Sequence, residues 1–543
     1  MREDAPIFRF NRERAHLCSL TVARVLSQLT DALHTLNDAC YFETRRLDGS
    51  KRKKDKERLL RWRWLARQLA KMGDDERRAE LEILARGYVE DIAGNFDPRV
   101  FRVSARILPS LVTSLLAPRK IPALAREPAK LMRLDALKDE VKVEGDLAGL
   151  RSLAGKGTLV YVPTHSSNMD SIVFGYALER AGLPPATYGA GKNLFTNPLL
   201  SFFMHNLGAY KVDRRLKHGL YKDCLKAYSS VLLENRYHSL FFPGGTRSRS
   251  GSVESKLKLG LMGTGIEAYT RSLLAGQERK IFFVPCTINY LLALEAETLI
   301  EDFLSDAGKA RYIIVDDESS RLYRIAAFAK KLLTMESSVV IRFGSPLDPF
   351  GSRVDADGTS FDTRGRAVAP KSYVTGLDGG LRIDPARDAQ YTRELGRALV
   401  KSYRENTVVM ATHLVAAACF EHLFEQGRRA DLYTTLRIHD ERIPRDTLAR
   451  LVLEKRDRLT ELERRGEVVV AAPIRAASGG DIVAQAMTAF RGYHTSPVLE
   501  PREDGIVLAD PRLLFYYQNR LARHGLAYDA DASVPGRAKG GAA

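Results

Sequence analysis

The chain has 543 residues, 45% of them hydrophobic and 28% charged, with a formal net charge of +17. Such a length supports about two to four domains, and this balance excludes disordered, collagenous and low-complexity chains. The positive surplus attracts polyanions, whether nucleic acid, an anionic lipid surface or a phosphorylated substrate, without choosing among them.

The N-terminus, Met1-Arg2-Glu3-Asp4, starts polar, and no signal peptide is expected. No uncharged apolar run of about 18 residues exists, so a membrane, if involved, is met at its surface. Residues 1–50 carry apolar residues at helical spacing (Leu20, Val22, Val25, Leu26, Leu29). The charge run Lys51–Arg58 reads either as a solvated helix start or as a contact for phosphate or lipid headgroups. A helical pattern then runs from Lys56 to about Asn95. Residues 100–118 mix Ile107, Leu108, Leu111, Val112 and Leu115 with Arg99, Arg102, Arg106 and Arg119. That mixture suits a core helix or one lying in a membrane interface with arginines among the headgroups.

Near residue 140 the pattern changes. Short apolar strands (Thr158–Pro163, Thr187–Gly191, Ala209–Val212, Ser239–Phe242, Lys280–Tyr290, Ser338–Gly344) alternate with helical stretches (Asp170–Ala181, Asn197–Asn206, Gly219–Glu234, Lys258–Leu274). This alternation predicts an α/β domain with a mostly parallel sheet flanked by helices. The expected organisation is a helical region over 1–135, the α/β domain over 136–350, a loop or linker over 351–388, a helical region over 389–530 and a flexible tail over 531–543. Five scattered cysteines (Cys18, Cys40, Cys224, Cys286, Cys419) show neither CxxC nor zinc spacing and read as buried thiols in a reducing compartment.

Four stretches carry candidate chemistry. In the first, Leu159-Val160-Tyr161-Val162 predicts a buried strand, and His165 stands where the chain emerges from it. Carboxyl ends of strands in open α/β sheets are where sites form. Asp170, at the start of the next helix, is placed to turn back onto one ring nitrogen of His165, leaving the other as a general base. Ser166, Ser167 and Asn168 are expected to cap that helix. In the second, an apolar strand ends in Gly244-Gly245-Thr246-Arg247-Ser248-Arg249. The glycines permit close backbone approach, while guanidinium and hydroxyl groups suit phosphate. In the third, Ala209-Tyr210-Lys211-Val212-Asp213 delivers Arg214 and Arg215 at a strand end, a weak signal alone. In the fourth, Pro285 interrupts the apolar strand Phe283–Tyr290, implying an edge or a bend that either belongs to the core or lines an acyl groove. Gly155-Lys156-Gly157-Thr158 precedes a strand and lacks the GxxxxGK[ST] pattern. No GxSxG elbow, zinc spacing or nucleic-acid-binding module appears, so no nucleic-acid partner is expected.

Together and in this order, the four stretches resemble the glycerolipid acyltransferases, which acylate glycerol-3-phosphate or 1-acylglycerol-3-phosphate. His165-Ser166-Ser167-Asn168-Met169-Asp170 is similar to their His-x-x-x-x-Asp motif. Gly208–Arg215 resembles the second block, Phe242–Gly251 the Phe-Pro-Glu-Gly-Thr-Arg-Ser block, and Val284-Pro285 the fourth. The flanks, including Tyr88–Phe96 and Val340–Pro346, look more like the larger glycerol-3-phosphate enzymes than the short ones. One departure stands out: Gly244 occupies the place where the third block usually carries Glu.

The resemblance implies an O-acyltransferase of phospholipid biosynthesis, with acyl-CoA or acyl-carrier protein as donor and glycerol-3-phosphate as acceptor. Lysophosphatidate or dihydroxyacetone phosphate are the alternative acceptors, and a silent membrane-binding scaffold of the same fold is the non-enzymatic one. It makes His165 and Asp170 catalytic and assigns the acceptor phosphate to Arg247, Ser248, Arg249, Arg214 and Arg215. Gly244, Gly245, Thr246 and Pro285 then shape the loop and acyl groove. No cofactor or metal is expected, because a thioester is already activated. The expected location is the cytoplasmic face of a membrane, as a peripheral or monotopic protein, with the helix over 100–118 and residues Leu199–Met204 against the bilayer.

Overall fold

The apolar run that ends at Pro163 becomes the central strand of the molecule. The computed structural model describes residues 5–116, 141–196, 198–308, 338–376, 378–427, 431–438, 440–491, 494 and 497–528. Seven strands form one sheet: β1 (Val141–Glu144), β2 (Gly157–Pro163), β3 (Thr187–Gly191), β4 (Ala209–Val212), β5 (Ser239–Leu240), β6 (Lys280–Tyr290) and β7 (Val339–Phe343). Their spatial order is β1-β7-β6-β2-β5-β3-β4. Strands β6, β2, β5, β3 and β4 run parallel; β7 is antiparallel to β6, and β1 is parallel to β7. The chain therefore builds the expected mostly parallel α/β sheet.

Side-chain alternation along β2 sends Leu159 and Tyr161 to one face and Val160 and Val162 to the other. The first pair packs with Val173, Phe174 and Ala177 of the helix Asp170–Arg180. The second packs with Ile266 of the helix Gly263–Leu274 and with Leu399 and Tyr403 of the helix Pro385–Glu405. Because helices cover both faces, β2 is buried at every position, as expected for a central parallel strand. The predicted helix over Lys258–Leu274 begins only at Gly263.

The N-terminal helices Phe10–Gln28, Ala32–Leu47, Lys53–Gln68 and Asp74–Ile92 pack with the helix Gly219–Glu234 in a second core. The helical pattern from Lys56 to about Asn95 forms two helices that divide at Gly73, whose amide donates to Glu76 Oε2 at 2.9 Å and so starts the second. The charge run Lys51–Arg58 opens the helix Lys53–Gln68 and is mostly exposed. The end of the helix Asp74–Ile92 docks beside β4: Gly208 N donates to Asn95 O at 2.8 Å, and a Cβ on Gly94 would stand 2.7 Å from Ala209 O.

Three sequence expectations change here. The stretch 351–388, expected as a loop, holds an antiparallel set of short strands, β8 (Arg353–Val354), β9 (Ser360–Phe361) and β10 (Ala367–Val368). The C-terminal helices (Pro385–Glu405, Ala411–Gln426, Arg445–Arg464, Gly479–Arg491, Pro511–Ala522) are joined by short paired strands. They also share one hydrophobic core with the sheet, in which Phe420, Leu514 and Phe515 belong to the same cluster as Tyr161 and Phe174. Finally, Pro285 does not mark an edge. Strand β6 lies between β2 and β7. Beside Pro285 the neighbouring chain is bonded at Gly344, which donates to Pro285 O, and at Leu347, which exchanges two bonds with Phe283. Pro285 thus sits where the partner backbone bulges between those contacts, and its missing N–H costs no ladder bond. The expected tail 531–543 lies outside the described residues.

Candidate active site

The parallel strands direct their carboxyl ends to one edge of the sheet. The segments leaving β2, β3, β4, β5 and β6 there bring together residues far apart in sequence. His165 lies two residues beyond β2, and Asp170 is the first residue of the helix Asp170–Arg180. His165 Nδ1 and Asp170 Oδ2 are 2.8 Å apart. Asp170 is fully buried and accepts three further hydrogen bonds. Ser166 N (2.6 Å) and Ser167 N (2.9 Å) donate to Oδ2, and Tyr290 OH (2.7 Å) donates to Oδ1. Burial above all, then the charge of Asp170, pushes the Tyr290 phenol well above its ordinary range, so it stays protonated as a donor. A carboxylate so surrounded accepts from Nδ1–H and fixes that tautomer, leaving Nε2 with its lone pair. The Phe242 ring stacks on the imidazole at 4.3 Å between centroids.

The backbone of the turn is fully engaged. His165 N donates to Glu254 Oε1 (2.6 Å), Asn168 N to Glu295 Oε1 (2.9 Å), and Met169 N to Ser167 Oγ (3.1 Å). With Ser166 N and Ser167 N on Asp170, every amide from 165 to 169 already donates, so none is left for an oxyanion. The N-cap position of the helix is Met169, without a side-chain cap. Ser166, Ser167 and Asn168 are therefore not its caps; Ser167 Oγ donates instead to Glu295 Oε2 at 2.8 Å.

The glycine–arginine loop folds against this turn. Ser248 N donates to His165 O at 2.8 Å, and Ser248 Oγ donates to Ser252 O at 2.7 Å, which commits that hydroxyl proton to the loop. Arg247 Nη1 lies 3.7 Å from Glu295 Oε1. Glu295 thus ties the guanidinium to the His165 turn, and burial raises its carboxyl above the usual range. Thr246 and Arg249 are exposed, while Gly244 and Gly245 are partly covered. Gly245 has φ +76°, and a Cβ there would stand 2.7 Å from Lys258 Cδ. The stem of Lys258 therefore lies over the loop and brings an ammonium group to it.

At the end of β4, Arg215 is engaged by Asp213 through two bonds (Nε–Oδ1 2.9 Å, Nη2–Oδ2 2.8 Å), while Arg214 is exposed. Lys192 and Lys211 pair with Asp91 of the N-terminal helix Asp74–Ile92. Pro285 is buried on the face covered by the helix Pro385–Glu405, and its ring would lie 3.3 Å from a Cβ on Gly344; it is not brought to the His165 loop. Among the described residues, no group of three or more His, Cys, Asp or Glu is arranged to hold a metal ion.

Sequence reasoning missed Tyr290, Glu295, Glu254 and Lys258. Only Tyr290 carried a signal, as the end of a predicted strand next to the fourth block. The imidazole of His238, by contrast, is buried in the core. Burial drives His238 down to about 4, and its Nδ1 accepts from Leu159 N at 2.9 Å.

An imidazole held by a buried carboxylate, beside an arginine-bearing loop at the carboxyl edge of a parallel sheet, is the arrangement that group transfer to a phosphorylated acceptor calls for: a candidate base next to candidate anion-binding groups. Residues 141–289 match the family model described as Acyltransferase. Curated relatives carry the resemblance further. The chain is 28% identical over 306 residues to a glycerol-3-phosphate acyltransferase of Pseudomonas fluorescens, covering 55% of this chain and 33% of that protein. It is 31% identical over 212 residues to one of Pseudomonas paraeruginosa, covering 38% and 24%. The matched stretch spans about a third or less of the length of these relatives. Among solved structures, the 1-acyl-sn-glycerophosphate acyltransferase PlsC from Thermotoga maritima is similar at 15% identity over 59% of this chain and 96% of that one, with a TM-score of 0.24. The fold class rests on the strand order itself.

Proposed function

We propose that the protein transfers a fatty acyl group from a thioester, acyl-CoA or acyl-carrier protein, to the hydroxyl of glycerol-3-phosphate. The observation that carries this reading is the His165–Asp170 pair, with Asp170 buried under four hydrogen bonds. His165 Nε2 takes the proton of the acceptor hydroxyl as its oxygen attacks the thioester carbonyl. Asp170 stabilises the imidazolium that forms, and the thiol leaves with a proton returned from it. Arg247, Arg249 and Lys258 bind the acceptor phosphate, with Arg214 at the end of β4, two strands beyond β5. Holding the phosphate positions the hydroxyl at the base, so these cations act on rate as well as affinity. The names of the relatives support glycerol-3-phosphate as acceptor.

The deciding assay offers labelled acyl-CoA and acyl-carrier protein to the purified protein with glycerol-3-phosphate, lysophosphatidate and dihydroxyacetone phosphate in parallel. Glycerol-3-phosphate is expected to be acylated fastest; no transfer to any acceptor would sink the reading and leave the silent scaffold. Arg247→Ala is expected to raise KM for the phosphorylated acceptor roughly tenfold or more, since a charge-assisted contact contributes about 1.5–3 kcal/mol. An unchanged KM would remove Arg247 from the phosphate site.

The reading includes a membrane surface, on its cytoplasmic face. The helix Pro98–Leu116 leaves Val103 and Ile107 half exposed, with Arg99, Arg102 and Arg106 exposed beside them, and Phe202 is half exposed on the helix Pro198–Asn206. Among the described residues no helix is long and apolar enough to cross a membrane. Apolar side chains among arginines suit insertion at headgroup depth. The double variant Val103→Glu/Ile107→Glu should bind anionic vesicles at least about tenfold more weakly, because each inserted side chain contributes about 1.5–3 kcal/mol. Unchanged co-sedimentation would exclude this helix as the contact.

A further inference from the structure

The carboxylate nearest the His165 backbone comes from an unexpected place. Glu254 lies three residues past Gly251, beyond the glycine–arginine loop. Its Oε1 accepts from His165 N at 2.6 Å, and its Oε2 is buried without a hydrogen-bond partner among the described residues. Gly244 makes the room for it: a Cβ there would stand 3.2 Å from Glu254 Cγ and 3.3 Å from Oε1. A side chain at position 244 and the Glu254 side chain therefore compete for one pocket. The helix Pro511–Ala522 runs behind the site. Arg520 is buried and donates through Nη2 to Ile288 O and Asn289 Oδ1 at 3.0 Å each. Burial raises the Glu254 carboxyl above its usual range, and the His165 amide and the Arg520 charge oppose that shift only in part. The same helix clamps the loop from which Glu254 emerges. Asn519 Nδ2 donates to Ser250 O at 2.9 Å, and Gly251, at φ +79°, lets Tyr516 O approach to where a Cβ would stand only 2.2 Å away. One carboxyl oxygen thus braces the peptide from which the His165 ring projects, and a helix almost 270 residues away in sequence clamps the loop that leads to Glu254.

We infer that Glu254 is a positioning residue for His165, filling from a later segment the pocket that a side chain at Gly244 would otherwise occupy. The inference rests on His165 being the base of the proposed acyl transfer. It accounts for the departure at Gly244: a carboxylate at that position is replaced in space by one reaching in from ten residues later.

The test uses the full chain and three variants: Glu254→Ala, Glu254→Gln and the double variant Gly244→Glu/Glu254→Ala. Hydrogen exchange of the His165 amide is read by NMR or by mass spectrometry of the peptide around it, and acyl transfer is measured alongside. In Glu254→Ala the His165 amide should exchange at least tenfold faster, and kcat should fall roughly 10–100-fold while KM for glycerol-3-phosphate moves less than threefold. Glu254→Gln, which still presents an acceptor oxygen, should keep protection and most of kcat. The double variant should recover at least part of both. Unchanged exchange at His165 in Glu254→Ala would overturn the inference whatever the activity. A double variant no better than Glu254→Ala would overturn the shared pocket. Wild-type protein that protects His165 as expected but transfers no acyl group would instead count against the proposed reaction.

Discussion

His165→Ala is expected to lower kcat for acyl transfer by roughly 10²–10⁴-fold, the range that a positioned general base contributes. The ring is one-fifth exposed, stacked on Phe242 and tethered through Nδ1, so Nε2 is the nitrogen left to meet a substrate hydroxyl. Removing the ring leaves Asp170 with its two amide donors and the Tyr290 hydroxyl. The turn should therefore keep its shape, and KM for the acceptor should change little. Residual activity would come from substrate positioning by the Arg247 loop. Steady-state kinetics with a thermal melt on the same preparation checks this: a variant that retains full acyl transfer would remove His165 from the mechanism.

Asp170→Ala should cost both activity and fold. Four donors, His165 Nδ1, Ser166 N, Ser167 N and Tyr290 OH, lose their acceptor, at about 1–3 kcal/mol for each buried one left unpaired. A loss of about 3–5 kcal/mol in unfolding free energy follows, because the backbone can relax around only part of the gap. Asp170→Asn separates the two effects. The amide oxygen still accepts from part of the cluster while the negative charge opposite the imidazolium is gone, so kcat should fall roughly 10²-fold or more with a smaller change in stability. Denaturant unfolding followed by kinetics distinguishes the outcomes. If Asp170→Asn matches the wild type in kcat, the carboxylate only braces the turn.

These two effects were legible in sequence because they are local. His165 and Asp170 are five positions apart, and the apolar run 159–162 places them at a strand end whatever surrounds it. The glycine–arginine loop was legible for the same reason. The rest of the site was not, because its contacts are long-range. Tyr290 reaches Asp170 across 120 positions, Glu295 reaches Ser167 across 128, and Glu254 reaches His165 across 89. No spacing rule connects residues that meet only because β6 lies beside β2 in the sheet. Pro285 shows the converse: a residue type that signals an edge strand stands inside the sheet, because the neighbouring backbone bulges where its N–H would have pointed.

The sequence by itself determined the class of the sheet, the strand ends from which chemistry emerges and the pairing of His165 with Asp170. Each of these follows from apolar periodicity or from neighbours within one turn. Only the tertiary structure decided which carboxylate holds the His165 backbone and which residues bury Asp170. It also showed that the C-terminal helices share the core of the parallel sheet instead of standing apart. The reason is physical: a buried polar group must find a partner wherever the fold supplies one, and the fold, not the order of the chain, sets which side chains come within 3 Å.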